Sequence, residues 1–238
     1  MNYLYLFVIL SVGFNSWAQE KAPWSHESEA AIVKVGGNTE SESYSAKQKT
    51  SLTRDKNLWV ATGRYLQAKA SGVETAKSWD AALRYEYILS DLWSIFLQHG
   101  LESNTYAGYL QRENTDLGSK YTFIKSETEN ALLEAGLRST RTLSSQNVEP
   151  KRENFGRLYG EYSRQINLSV SAKAWVEYLP NFSDSEAYFL NYEPSLTVLM
   201  NQIFSLKVAY LVKIHNKVLI ASEKKEDTTL TTALVAKF

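Results

Sequence analysis

Along the last third of the chain, apolar and polar residues alternate one by one. Leu168, Val170, Ala172, Ala174, Val176 and Tyr178 are apolar, with Ser169, Ser171, Lys173 and Glu177 between them. The pattern returns in Phe204, Leu206, Val208, Tyr210, Val212 and Ile214, set against Ser205, Lys207 and Lys213. A period of two puts successive side chains on opposite faces of a strand, one oily and one wet. Twelve such segments can be read, near 25–36, 39–52, 57–69, 77–89, 92–102, 105–124, 130–142, 154–166, 168–179, 186–200, 203–215 and 227–238. A soluble barrel or sandwich would turn the same apolar faces inward, but its strands are usually only about five or six residues long. The pattern therefore predicts an all-β protein: a transmembrane antiparallel up-and-down β-barrel of about 12 strands, with its apolar faces on lipid.

The connections bear on orientation. With both termini on the periplasmic side, every second connection should be short and the others longer. Ser90-Asp91, Asn167 and Asn201-Gln202 are tight and fall on the terminal side, whereas 142–153, 180–185 and 216–226 are long and fall opposite. The link 102–105 is short although it belongs to the outer side. The faces are clean in the fourth segment, where Trp79, Ala81, Leu83, Tyr85, Tyr87 and Leu89 point out, and Asp80, Arg84 and Glu86 point in. The seventh sends Ala131, Leu133, Ala135 and Leu137 outward, and the tenth sends Tyr188, Leu190, Tyr192, Leu196 and Val198. The first, second and sixth are poor, and the lipid face of the second rests on Tyr44 and Ala46.

Composition changes this picture little. The 238 residues carry 26 basic and 26 acidic side chains, so no basic face calls for nucleic acid. There is no cysteine, hence no disulfide framework or thiolate metal site. The 15 Tyr and 6 Trp suit a barrel girdled with aromatics at both interfaces. Tyr3 to Phe14 forms the one long apolar run, followed by Ser16-Trp17-Ala18, which reads as a signal peptide over 1–18 cut after Ala18, although no Lys or Arg precedes the run. The barrel domain is then 19–238. As a spanning helix the run would be short of the roughly 20 residues required.

Several short blocks resemble the YdiY-like family, whose members are called salt-induced outer membrane proteins and which is otherwise a domain of unknown function. They are Gly37-Asn38-Thr39 after a Trp-led strand, Trp79-Asp80-Ala81-Ala82-Leu83-Arg84-Tyr85, Gly108-Tyr109-Leu110-Gln111-Arg112 and Leu117-Gly118-Ser119-Lys120-Tyr121. The ending Lys224-Lys225-Glu226-Asp227-Thr228-Thr229-Leu230, with a last strand to Lys237-Phe238, completes the match over about 24–238. The resemblance implies an outer-membrane barrel and carries over no catalytic residue. Where the family has an acid after the glutamate of the fifth strand, this chain has Ser103-Asn104, so anything that acid binds in relatives is in doubt here. Barrels of this kind typically end on an aromatic residue read by the assembly machinery. Here that would be Phe238, preceded at every second position by Ala236, Leu234, Thr232 and Leu230.

The charged residues on inward faces are Arg84, Glu86, Arg112, Asp116, Glu134, Arg138, Arg157, Glu161, Lys173, Glu177, Glu193, Lys207 and Lys213. They either line a conducting, charge-biased pore or pair with one another and block a narrow bore, since twelve strands lie between filled eight-stranded and open sixteen-stranded barrels. The leading expectation is a narrow charged pore for small solutes or a structural envelope component of the bacterial outer membrane. The alternative is a closed barrel presenting outer loops 142–153 and 216–226 to partners. A lipid hydrolase using His99, read as facing lipid near the outer rim, with Ser119 on the adjacent strand, is a distant third. His26 and His215 read as ordinary surface histidines. Acidic loop residues such as Asp184, Glu186, Glu226 and Asp227 could hold divalent cations but are equally what any charged loop contains. No enzymatic activity, cofactor or metal is expected. The expected partners are outer-membrane lipid, lipopolysaccharide and the barrel-assembly machinery.

Overall fold

Strand follows strand in chain order around a closed ring, each pairing antiparallel with the next, and β12 returns to β1. The computed structural model describes residues 23–35, 40–145, 149–217 and 224–238. The expected signal peptide, the block at Gly37 to Thr39 and parts of the two long outer loops lie outside the described residues. The strands are β1 Trp24–Val35, β2 Ser41–Arg54, β3 Asn57–Ala70, β4 Val73–Ile88, β5 Trp93–Asn104 and β6 Tyr109–Lys125. They continue as β7 Glu129–Ser144, β8 Lys151–Gln165, β9 Val170–Pro180, β10 Tyr188–Leu199, β11 Phe204–His215 and β12 Glu226–Lys237.

Twelve strands match the sequence reading, and the differences have local causes. Ser71 and Gly72 both hold positive φ, 50° and 78°. That is the signature of a two-residue type I′ hairpin, which starts β4 at Val73 instead of near 77. Residues Thr105–Ala107 form a 3-10 turn, so β6 begins only at Tyr109. The Asn104 side chain, in the Ser103-Asn104 pair noted above, caps that turn by accepting the Ala107 N–H at 3.0 Å, and Gly108 at φ 75° ends it. Leu168 lies in a turn, not in β9, and is almost fully exposed.

The connections at the end bearing the termini are short and chemically similar. Asn167 accepts the N–H groups of Ser169 and Val170, and Asn201 those of Ile203 and Phe204, each at 2.8–2.9 Å. These are Asx turns, in which a side-chain amide replaces a backbone partner and tightens the hairpin. At the far end, Lys217 pairs with Asp184 and ties the 181–187 connection to the start of the last one.

The polarity of the wall is inverted relative to a soluble domain. Leu117 is 61% exposed on the outside, while its neighbour Asp116 is 1% exposed on the inside. Leu83, Leu97, Leu133, Leu137, Leu158 and Leu196 are likewise exposed outward. Aromatics cluster toward the two ends of this apolar surface: Trp24, Trp59, Trp93 and Phe238 near the terminal end, Tyr65, Trp79, Tyr178 and Tyr188 toward the other. Trp93 packs on Tyr121 and Trp59 on Tyr85, each with centroids 4.6 Å apart.

Candidate functional site

Cross-strand register lays inward residues out in rows around the wall from β4 to β9. One row runs Glu86, Phe96, Gly118, Gly136, Arg157. The next row toward the far end runs Arg84, Gln98, Asp116, Arg138, Phe155. The next row toward the termini runs Ser94, Lys120, Glu134, Tyr159, Glu177. Two paired glycines thus leave a hollow in the middle row. A Cβ on Gly136 would stand 2.5 Å from the Leu117 carbonyl oxygen, and one on Gly118 would stand 2.8 Å from Phe96 Cζ. The Phe96 ring fills the hollow and is 2% exposed. Two arginines meet above it, Arg84 from the row toward the far end and Arg157 from the end of the same row: the Arg84 guanidinium lies 3.9 Å from the ring centroid and that of Arg157 5.5 Å.

A single chain of alternating charge results. Lys120 and Ser94 both bond Glu86, the serine at 2.7 Å, and Arg84 donates to Glu86 at 3.0 Å. Arg84 also spans two intervening strands to donate to Glu134 at 2.7 Å. Arg157 donates to Glu134 at 2.6 Å and to Glu177 at 2.7 Å. Arg138 reaches Glu177 at 3.1 Å and grips Asp116 with two nitrogens, at 2.6 and 2.8 Å. Four cations therefore alternate with four carboxylates. Buried charge is tolerable only when paired and hydrogen-bonded, so this arrangement lets the wall carry eight charges without a net field.

The remaining predicted lumen residues also point inward but stand apart from that chain. Arg112 faces Glu102 at 3.5 Å and stacks on the Tyr109 ring at 3.9 Å. Glu161 takes Lys173 at 2.8 Å. On the opposite wall Lys207 bonds Glu29 at 2.9 Å and lies 3.7 Å from Glu193. Lys213 makes no ion pair or side-chain hydrogen bond among the described residues. Sequence reasoning missed Lys120, although its parity with Asp116 marked it as inward. Phe96 and the glycine pair break the alternation of polar residues inside, and only the register shows that they belong together.

Two of the three histidines, His99 and His215, stand elsewhere than the sequence suggested, whereas His26 is on the outer surface as expected. His99 sits mid-strand on β5, away from the outer rim, and its Nδ1 is 3.0 Å from the Thr115 hydroxyl. Ser119 stands opposite Ile95, four residues along, so the two are not brought together. His215 shares the inward parity of Lys213 and stacks on Phe189 at 4.0 Å inside the barrel, so it is not a surface histidine. His26 lies beside Phe238, 5.5 Å between centroids, with Nδ1 3.1 Å from the Thr50 hydroxyl. No cluster of three metal-ligating side chains occurs among the described residues.

Two cavities lie in series along the axis, about 390 Å³ toward the far end and about 830 Å³ toward the termini. Lys47, Gln98, Arg138, Trp175, Glu177 and Glu193 line both, so the two cavities adjoin at their level.

Among solved structures, the NanC porin is similar, with a TM-score of 0.56 at 12% identity over 89% of this chain and 98% of that one, a likeness of fold. The uncharacterized protein YdiY of Escherichia coli strain K12 is 24% identical over 195 residues, 82% of this chain and 75% of YdiY. A closed antiparallel barrel with an apolar outside, aromatic girdles and a charged interior is built for lipid, and the chain is an outer-membrane β-barrel. Residues 28–238 match the family described as "Protein of unknown function, DUF481", and the chain belongs to that family.

Proposed function

We propose that the protein is a narrow, charge-lined pore for small solutes. The observation that carries this reading is the pair of axial cavities that adjoin at a shared set of lining residues. Each is far larger than the roughly 10–15 Å³ that one water requires. The long charged side chains that could have blocked the bore are instead drawn against the β4–β9 wall by mutual pairing and by the Gly118–Gly136 hollow. The passage then runs along the opposite wall, past Lys47, Glu193 and Lys207.

Purified protein in a planar bilayer should give a steady, small conductance, and Trp175→Ala, which removes the bulkiest side chain lining both cavities, should raise it. Silence of both proteins across pH and voltage would refute the pore. In this reading the surroundings are outer-membrane lipid and lipopolysaccharide. The assembly machinery reads the last strand through Phe238, whose backbone exchanges hydrogen bonds with His26 at 2.8 and 3.1 Å.

A further inference from the structure

The ring closes through an unusually short seam. β1 and β12 pair only from Glu27↔Lys237 to Ala30↔Leu234, besides the hydrogen bonds between His26 and Phe238. Every other neighbouring pair is in register over at least eight residues. Beyond Ala30, β1 is paired with β2 alone, and β12 before Leu234 is paired with β11 alone. The wall is therefore split on its outer half. The side-chain exposures agree: Ile32 and Leu230 flank the split at 73% and 70% exposed, and Val33 is half exposed although its parity points it inward. Unpaired backbone is not tolerated against hydrocarbon unless it borders water or a ligand. The split is thus an opening to something polar.

Behind it lies a cavity of about 270 Å³, bordered by Thr229, Thr231 and Ala233 on the free stretch of β12. Its charged lining is Lys47, Arg64, Lys77, Lys207 and Lys213 against Glu29, Glu193 and Asp227. The excess is cationic, and the Lys213 ammonium makes no ion pair or side-chain hydrogen bond among the described residues. A molecule occupying both sides of the opening needs an apolar part for the outer leaflet and an anionic part for this cavity.

We infer that the gap between β1 and β12 is a lateral portal, through which an anionic amphiphile places its head on Lys213 while its chain stays in the bilayer. This goes beyond axial conduction, and a barrel silent in conductance could still have it.

The test uses the full mature chain in phosphatidylcholine vesicles, with dodecanoate, dodecyl phosphate and dodecyltrimethylammonium as sub-micellar probes. Continuing the register sets Val33 opposite Thr231, so a short bis-maleimide joining Val33→Cys to Thr231→Cys bars the portal. At least one anionic probe should bind and the cationic one should not; dodecanoate alone would assign a carboxylate head, dodecyl phosphate alone a phosphate. Bridging should slow binding tenfold or more relative to the same variant capped with a monofunctional maleimide, and Lys213→Met should weaken it by a similar factor. The bridge reads the portal independently of whether the Lys213 variant inserts. Equal binding of the cationic probe, indifference to the bridge, or linkage of two Thr231→Cys chains through paired free edges would overturn the proposal.

Discussion

Adding one lysine at either of two nearby positions on opposite faces tests the inverted polarity of the wall. Val208 lies on β11 near the middle of the apolar surface, 43% exposed, opposite Leu196 and Thr232. Ser195, which precedes Leu196 on β10, faces the larger cavity instead. A lysine at the bilayer midplane costs about 2–4 kcal/mol. At 1.4 kcal/mol per tenfold, Val208→Lys should lower the folding equilibrium constant by a factor of about 30 to 700. Ser195→Lys introduces the same charge into a hydrated chamber, with Glu193 on the same face, and should change stability by no more than about 1 kcal/mol. Urea titration of the refolded barrel in vesicles, followed by tryptophan fluorescence, reads both values by linear extrapolation. Equal losses, or a larger loss for Ser195→Lys, would mean that the exposed leucines and valines do not face lipid.

Other expectations follow from the inner wall and the outer connections. Gly136→Ala should cost about 1–3 kcal/mol, because its new methyl meets Leu117 backbone that cannot withdraw, whereas Gly63→Ala, with its nearest neighbour 3.9 Å away, should be neutral; the same urea titration decides. Arg157→Met leaves Glu134 and Glu177 each short of a buried cation, and should destabilise the barrel by about 3–5 kcal/mol; a loss below 1 kcal/mol would show that Arg84 and Arg138 suffice. At the surface, the Lys217 ammonium holds the Asp184 carboxyl below the usual aspartate range. A depressed carboxyl contributes its tie above its ordinary pKa and loses it as pH falls through the depressed value. Asp184→Asn should therefore increase the separation of spin labels on 181–187 and 216–217 at neutral pH, as strong acid does for the parent protein, without moving the unfolding midpoint.

Alternation by itself determined the number of strands and, in the clean ones, which side chains share a face, because a two-residue period is a local property; that the apolar face is the outer one was decided by closure of the ring. Alternation failed where a turn was local chemistry of another kind, as at Ser71-Gly72, or where a polar cap interrupted a strand, as at Asn104. Arg84 and Glu134 were legible as inward residues fifty positions apart. That they touch was not legible, since it depends on register across three strand pairs and on two glycines that let side chains cross above Phe96. Likewise the alternation to Phe238 announced a closing strand, but not how far it closes. The length of the β1–β12 seam is set by a register between residues some 200 positions apart, with no turn to fix it, so only the closed barrel could decide it.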